Sequence, residues 1–199
     1  DVESRGLGDV YKRQISNSKS LVRAKEGISI QINKVSVSKS IINGCSGDMF
    51  AYKESTVAQI PVTEITNSTL IKPQGRIFYA GNAASFSIDY CTMYGWGGSK
   101  AMLELGDKNT LGMSLAIKNT ILANGGSNRK AHNANAAANL SLTIEKVYGT
   151  NDMTFHSTLG DVTKYDKPST EVFENPEEGN FKIIDALFPS SIGDPRWTE

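Results

Sequence analysis

Residues 115–126, LAIKNTILANGG, decide the fold because four other segments of the chain repeat their pattern. Each copy has an apolar anchor, a polar residue, then lysine, asparagine or tyrosine, and further apolar residues before a turn. The other copies are VSVSKSIING (35–44), ITNSTLIKPQG (65–75), FSIDYCTMYGWGG (86–98) and LTIEKVYGTND (142–152). Their anchors, 23 to 29 residues apart, are Val37, Ile65, Ile88, Ile117 and Ile144. Internal similarity at this period indicates a solenoid, in which one unit is stacked repeatedly along an axis.

The residues before each anchor alternate as in a β-strand. Leu115 and Ile117 project to one side and Ala116 to the other, and the isoleucines at 28, 30 and 32 show the same period of two. Stacked coils bury such a column continuously, which single short strands cannot do. We therefore predict an all-β fold, a single-stranded right-handed parallel β-helix of about five to six coils with an irregular C-terminal cap.

Turn residues support the same architecture. Asn67 and Asn119 both lie two residues after an anchor, and asparagine tolerates left-handed backbone, so we place both at a bend between two strands of a coil. Asn-Gly pairs at 43–44 and 124–125 mark later turns. The polar, alanine-rich residues 127–139 interrupt the period and are predicted to form a protruding loop.

The chain divides into an extraneous segment and one domain. Residues 1–14, DVESRGLGDVYKRQ, resemble the translated read-through of a sequencing adapter, so we expect them to be foreign to the native protein. Residues 15–199 are expected to form one β-helix domain whose N-terminal part is missing. Within it, residues 170–199 are predicted to form the C-terminal cap, because the open end of a solenoid needs a cover.

Composition excludes several classes of function. The formal net charge is zero, with 21 basic and 21 acidic residues, which argues against a nucleic-acid partner or an anionic membrane surface. Cys45 and Cys91 are predicted to be free, because nearly two coils separate them, roughly 9 Å against a limit of about 7 Å between disulfide-bonded Cα atoms. With no Cys/His spacing typical of a zinc site, we expect neither a metal nor a cofactor. His132 and His156 are interpreted as ordinary loop residues.

A charged stripe follows the anchors on the outward side. Asp89, Lys118 and Glu145 each come directly after an anchor in successive copies. Asp89 and Glu145 would lie two coils apart, roughly 9 to 10 Å, at the wide end of the carboxylate separation in inverting glycoside hydrolases. The interpretation we favour is a ladder of ion pairs on a solvated sheet, since opposite charges on neighbouring strands are common for stability alone.

Aromatic residues offer a second set of candidates. Tyr90, Tyr94 and Trp96 lie together in the third copy, and Tyr79 precedes them by about half a coil. Aromatic rings can pack on the flat C–H faces of sugars. Core packing is predicted for Tyr90 or Tyr94. Trp96, which lies between two glycines, is interpreted as a turn residue and is either exposed and functional or packed. The candidate carbohydrate-binding residues are Tyr79, Tyr90, Tyr94, Trp96, Asp89, Lys118 and Glu145.

Several phrases resemble a known group of proteins. FYAGNAASFSIDYCTMYGW, LAIKNTILANGG, FENPEEGNFKI and GDPRW are similar to segments of pectate-lyase-like right-handed β-helix proteins. They resemble more closely the β-helix domains of unknown function on surface lipoproteins of bacterial polysaccharide-utilisation systems. The resemblance, which runs from about residue 28 to residue 197, implies a secreted or outer-membrane-surface location, a lipid anchor on the missing N-terminus and a carbohydrate ligand. It implies no catalytic residues.

These observations favour a non-catalytic extracellular domain that binds or presents polysaccharide at the bacterial cell surface, and we expect it to be a monomer. One alternative is a polysaccharide lyase or glycoside hydrolase of the pectate-lyase-like group. Another is a structural or adhesive solenoid segment. The absence of a convergent His/Arg/acid set in the sequence favours binding over catalysis.

Overall fold

The computed structural model describes residues 13–23, 32–52, 60–80, 84–105, 112–137 and 139–198. These residues form an all-β fold of mostly parallel strands, stacked as a β-solenoid of about four turns with little helix. In chain order the strands are β1 (Arg13–Ser16), β2 (Val22–Arg23), β3 (Val35–Ser38), β4 (Ser40–Asn43), β5 (Phe50–Ala51), β6 (Val62–Ile71), β7 (Phe78–Ala80), β8 (Ser85–Tyr94), β9 (Leu103–Leu105), β10 (Met113–Lys118), β11 (Ile121–Ala123), β12 (Leu140–Glu145), β13 (Tyr148–Gly149), β14 (Thr163–Lys164), β15 (Phe173–Asn175) and β16 (Asn180–Ile183). The helices are α1 (Ala134–Ala137), α2 (Ser169–Val172) and three 3-10 turns at Ser157–Leu159, Pro176–Glu178 and Pro195–Trp197.

Two parallel sheets make up the solenoid. The larger sheet has ten strands, and the coils from β3 to β13 each contribute to it a first half and a second half separated by a bend. The smaller sheet contains one strand from each of four coils, in the order β2-β5-β7-β9. The sequence predicts about five to six coils, whereas about four turns are present. The difference arises because the later coils, which contain β10 to β14, add strands to the larger sheet only.

The predicted anchor column is confirmed by the strand register. Val37 pairs with Ile65, Ile65 with Ile88, Ile88 with Ile117, and Ile117 with Ile144. The three middle anchors are fully buried. Across the core, Phe78 of the smaller sheet packs on Phe50 and on Phe86, with ring centroids 5.6 and 4.7 Å apart. The isoleucines at positions 28 and 30 lie outside the described residues.

The predicted bends are also present. Asn67 and Asn119 have left-handed backbone, and the equivalent residue of every described coil does the same, with φ of 42° to 52° at Lys39, Asn67, Tyr90, Asn119 and Lys146. The next residue turns its side chain back, so that Ser68 Oγ donates to the Thr66 carbonyl at 2.7 Å. This hydrogen bond satisfies a carbonyl at the bend, where the regular ladder is interrupted.

Cys91 occupies that same position after the bend. Its Sγ donates to the Asp89 carbonyl at 3.3 Å, and burial raises the pKa of the thiol to about 12. Cys45 is also free and buried. Both cysteines therefore act as small core residues, and the high pKa of Cys91 leaves little reactive thiolate at neutral pH.

The C-terminal end of the solenoid is closed by residues 150–165. The buried apolar side chains enclosed by the coils form the main core. Leu159, in the 3-10 turn Ser157–Leu159, is buried in it together with Val162. The His156 side chain accepts a hydrogen bond from the Thr158 backbone N–H at 3.2 Å and caps this turn. The predicted loop at 127–139 does not simply protrude, because Ala131 and Ala136 are buried in the same core and His132 pairs with Leu103 of β9.

The predicted C-terminal cap, residues 170–199, instead lies across the side of the solenoid. We call residues 166–198 the tail. Its buried apolar side chains pack on the outward side of the second half of the larger sheet, against Ile71, Tyr94, Ile121 and Ala123. The tail residues that make this layer are Val172, Phe173, Phe181, Phe188 and Ile192. The outward apolar residues of the second half explain this position, since they would otherwise be exposed to water.

The phrase GDPRW has a structural role in fastening the tail. Asp194 caps the last 3-10 turn by accepting from the Arg196 N–H, and it also accepts from Thr69 Oγ1 at 2.7 Å. Trp197 Nε1 donates to the same Thr69 hydroxyl at 2.7 Å. Burial raises the pKa of Asp194, although the Thr69 hydroxyl and the Arg196 N–H oppose that shift. The end of the tail is thus hydrogen-bonded to β6, four strands away from β14 in the larger sheet.

Asp152 joins the last coil to the start of the tail. It accepts hydrogen bonds from the Ser169 N–H and hydroxyl, from the Thr150 hydroxyl and from the Asn124 N–H, at 2.9, 2.5, 2.5 and 3.2 Å. Burial alone would raise the pKa of Asp152, but these hydrogen bonds outweigh it and lower the pKa below the ordinary 3.8. Stability from a lowered carboxyl pKa is complete above the ordinary value and is lost as pH falls through the native value.

We therefore expect Asp152→Asn to lower the free energy of unfolding by about 1 kcal/mol at pH 7, since partial exposure to water screens the loss. The difference between the two proteins should shrink once the pH falls below about 3.8, where the unfolded carboxyl also takes up a proton. Urea unfolding of both proteins at pH 7 and pH 3 measures it. A difference that stays constant between the two pH values would show that the charge of Asp152 contributes nothing.

Candidate functional site

The seven candidate residues fall into three places in the fold. Tyr94 and Trp96 are buried. Tyr90, Asp89, Lys118 and Glu145 lie at the bend and on the outward side of the first half of the larger sheet. Tyr79 lies on the outward side of the smaller sheet, in a groove. The structure therefore brings four of them together and separates the other three from that group.

Trp96 has no face available for a sugar, because it is only 1% exposed. Glycines with left-handed backbone at positions 95 and 98 turn the chain, and the indole lies in the main core with the Arg129 guanidinium 5.8 Å from its ring. This corrects its assignment to the candidate binding surface. The sequence left its direction open because a turn between glycines can point a side chain to either side.

Tyr94 is buried as predicted, but under the tail and not in the main core. Its ring packs on Phe181 of the tail with centroids 5.2 Å apart, and its hydroxyl donates to Glu177 at 2.5 Å. Asn124 Nδ2 donates to the same hydroxyl at 2.7 Å. Burial and the neighbouring Glu177 raise the pKa of Tyr94 to about 12. Tyr94 is therefore part of the contact that holds the tail and is unavailable to a ligand.

Tyr90 is exposed, so the core position considered for it is wrong. Its side chain is 39% exposed, and its backbone has φ of 50° at the bend. Left-handed backbone brings Cβ close to the following carbonyl and is unusual for a bulky residue. Neighbouring coils use asparagine at this position, which tolerates the conformation better. Tyr90 therefore combines an exposed aromatic ring with a backbone conformation that disfavours it.

The charged stripe lies beside Tyr90. Lys118 pairs in register with Asp89 on one side and with Glu145 on the other. The Lys118 ammonium is 2.9 Å from a Glu145 carboxylate oxygen, whereas Asp89 accepts from Asn119 Nδ2 at 2.8 Å. Hydrogen bonding between the pair raises the pKa of Lys118 and lowers that of Glu145. The predicted ladder is thus an ion pair at one step and an amide–carboxylate bond at the other.

The carboxylates of Asp89 and Glu145 are not placed to act together on one glycosidic bond. Two strand spacings separate them, about 10 Å. Lys118 lies between them and is bonded to Glu145. An inverting hydrolase needs room between its carboxylates for a sugar and a water, and Lys118 occupies that room.

The surface next to this stripe is flat and polar. We call it the polar face, the outward side of the first half of the larger sheet. Most of its side chains are small, and they are half-exposed or exposed. The row nearest the stripe is Ser36, Glu64, Ser87, Ala116 and Thr143, which pair in that order. The tail packs on the second half and leaves this face open.

Tyr79 lies in a groove of about 380 Å³ on the outward side of the smaller sheet. The Arg76 guanidinium lies 3.9 Å from the centre of the Tyr79 ring. Arg76 Nε donates to Glu104 at 2.6 Å, and its Nη1 donates to both oxygens of Asp48 at 3.0 and 3.1 Å. This cluster was not predicted from the sequence, although Asp48, Arg76 and Glu104 are each 28 residues apart, the length of one coil.

The described residues share two general features. No three histidine, cysteine or acidic side chains among them come together as metal ligands. No helix in the part of the chain that the structure describes is long and apolar enough to cross a membrane.

Comparison with known proteins gives one match. The family model of a domain of unknown function, DUF5123, matches residues 86–197, more than half of the chain. The matched region begins in β8 and ends at Trp197, so it includes the later coils and the tail. No curated protein matches the chain. No solved structure matches it either.

Proposed function

This chain belongs to the family of the domain of unknown function DUF5123, and from its exposed surface we propose that it binds polysaccharide without cleaving it. The ligand would lie on the polar face, with one sugar ring packed on Tyr90. The observation that carries the proposal is the exposed ring of Tyr90 on left-handed backbone. A residue held in an unfavourable backbone conformation costs about 1 to 3 kcal/mol of folding free energy. Such residues cluster at functional sites, where the conformation serves the function.

The surroundings of Tyr90 suit a sugar. A sugar ring offers an apolar C–H face to the aromatic ring and hydroxyl groups at its edge. Asp89 and Asn119 supply acceptor and donor groups beside Tyr90, and they are already oriented by their mutual hydrogen bond. The serine and threonine hydroxyls of the polar face add further partners along the stack. An arrangement that is ordered before binding loses less conformational entropy when a ligand arrives.

Binding without cleavage is preferred because the acidic groups lack a catalytic geometry. Lys118 separates Asp89 from Glu145, and Asp89 is held by Asn119. The location at the bacterial cell surface and the lipid anchor are parts of the same proposal, supported by the resemblance to surface-lipoprotein β-helix domains. A relationship to the pectate-lyase-like group likewise remains part of the proposal, supported by the solenoid architecture.

Tyr90→Asn tests the proposal with opposite effects on stability and binding. Asparagine accepts the left-handed bend more readily, so the variant should gain about 0.5 to 1 kcal/mol in free energy of unfolding. Loss of the ring should weaken polysaccharide binding by about 1 to 2 kcal/mol. Urea unfolding gives the first value, and a glycan array followed by calorimetry on the best ligand gives the second.

Two control variants sharpen this test. Tyr90→Phe keeps the ring and should bind within a factor of about three of the parent protein. Thr170→Ala changes an exposed residue of α2 in the tail, away from the polar face, and it should affect neither stability nor binding. Binding that survives intact in Tyr90→Asn would overturn the proposed site. Cleavage of any polysaccharide that Asp89→Asn or Glu145→Gln abolishes would overturn the non-catalytic function.

A further inference from the structure

The groove beside Tyr79 is a second surface with the properties of a binding site. It lies on the smaller sheet, whereas Tyr90 and the polar face belong to the larger one. The turns of four successive coils line it, and its lining includes four basic residues and one acidic residue, Lys19, Arg23, Arg76, Lys100 and Asp48. With Glu104, which is bonded to Arg76, the formal charge of these six side chains is +2, in a chain whose net charge is zero. Clefts lined by one sign of charge concentrate oppositely charged ligands.

Stacked glycines keep the floor of the groove free of side chains. A Cβ atom on Gly75 would lie 2.4 Å from the Gly47 carbonyl oxygen of the preceding coil. One on Gly98 would lie 2.1 Å from the Gln74 carbonyl oxygen, and Gly98 also has left-handed backbone. These contacts are too short for any side chain, so the turns must remain glycine. At these glycines the groove is therefore lined by backbone.

Arg76 is fixed at the centre of this groove. Its Nε and Nη1 groups are bonded to Glu104 and Asp48, and its guanidinium lies 3.9 Å from the centre of the Tyr79 ring. Its side chain is only 16% exposed, so it has little freedom to reorient. The Nη2 group makes no hydrogen bond to the described residues. A guanidinium held this way presents a donor to an anion without the entropy loss of ordering a long side chain.

Lys19 and Lys100 add exposed positive charge at the rim of the groove. Both residues are exposed, and neither ammonium group has an ion-pair partner in the described part of the chain. Elsewhere on this protein exposed lysines do find carboxylates, as Lys34 does with Glu64 at 2.7 Å and Lys118 with Glu145 at 2.9 Å. The groove thus has basic groups in excess of what its own carboxylates pair.

From this arrangement we infer that the groove binds the anionic substituent, a carboxylate or a sulfate ester, of an acidic saccharide. Arg76 and the two rim lysines hold the charge, and the backbone floor accommodates the ring that carries it. The choice of a saccharide rests on the proposed function, whereas the choice of an anion rests on the groove alone. The groove is separate from Tyr90, so an experiment can disprove either proposed binding site without disproving the other.

The experiment compares three oligosaccharides of one length. They are a neutral glucose oligomer, the same oligomer with carboxylates at C6, and the same oligomer with sulfate esters at C6. Calorimetry on the full chain should show that at least one charged oligomer binds roughly tenfold more tightly than the neutral one. Which charged form binds identifies the source of the anion. Inorganic sulfate, titrated alone, tests the anion site without any sugar.

Variants then identify the residues that cause the preference for charged oligomers. Lys100→Glu, at an exposed position, should leave the melting temperature unchanged and abolish the preference for charged oligomers. Lys182→Glu makes the same charge change at an exposed residue of the tail and should preserve it. Tyr90→Asn should also preserve the preference for charged oligomers while lowering the affinity for the neutral oligomer. Equal affinity for all three oligomers, or equal losses in Lys100→Glu and Lys182→Glu, would overturn the inference. Binding of inorganic sulfate with no preference among the oligomers would leave an anion site and overturn the acidic saccharide.

Discussion

Trp96→Ala is expected to lower the free energy of unfolding by about 3 to 5 kcal/mol, because it empties a large volume in the middle of the core. Trp96 is among the largest fully buried side chains of the protein. Its removal also exposes the Arg129 guanidinium, which lies near the ring and donates through Nη1 to the Gly97 carbonyl at 2.9 Å. Urea unfolding at neutral pH measures the loss, with Tyr90→Asn as the exposed aromatic for comparison.

The same variant separates a packing role from a binding role. At temperatures where Trp96→Ala is still folded, its affinity for polysaccharide should equal that of the parent protein. An unchanged unfolding free energy together with weakened binding would show instead that the indole reaches the surface. The turn around Trp96 would then differ from the one described above.

Phe181→Ala is expected to cost about 3 to 5 kcal/mol through the tail. Phe181 is fully buried, and its ring contacts those of Tyr94, Phe173 and Trp197 at centroid distances of 5.2, 5.4 and 5.8 Å. Because these contacts join the tail to the larger sheet, their loss should release the tail before the coils unfold. The two tryptophans report on these events separately, since Trp197 lies in the tail and Trp96 in the core.

Fluorescence of two versions of Phe181→Ala, one with Trp96→Phe and one with Trp197→Phe so that an aromatic ring still fills each site, measures the two transitions. Trp197 should become exposed at lower urea concentration than Trp96. Leu187→Ala is the matched control, because Leu187 lies in the same tail but is 81% exposed and should change stability by less than about 0.5 kcal/mol. Coincident transitions for both tryptophans would show that the tail and the coils unfold as one unit.

The parts of the fold that follow from a repeated pattern were predictable from the sequence. The anchor column, the bends at Asn67 and Asn119 and the parallel stacking all depend on what each residue does within its own coil. Burial of Ile117 and exposure of its neighbour Lys118 follow from the period of two in a strand. The same logic would have found Asp48, Arg76 and Glu104, whose spacing of 28 residues equals one coil.

The position of the tail was not predictable in that way. Phe181 and Trp197 contact coils that lie far from them in sequence, and no period relates them to Tyr94 or Thr69. The outward isoleucines Ile71 and Ile121 were the available indication of where the tail packs, because an apolar side chain on the outward side of a strand must be buried by another part of the protein. The number of turns differed for a similar reason, since a matching segment in the sequence need not contribute a strand to both sheets.

The length of the tail also limits the number of coils in the stack. It leaves the last coil beyond β14, contacts Tyr148 through Phe188, and ends with Trp197 bonded to Thr69. Solenoids gain or lose coils easily by duplication, because each coil contacts only its neighbours. Here an additional coil between β6 and β13 would move Thr69 about 4.8 Å away from the origin of the tail, and Trp197 would no longer meet it in register. The length of this segment therefore sets the number of coils it can span, so a family member with more coils should have a correspondingly longer tail.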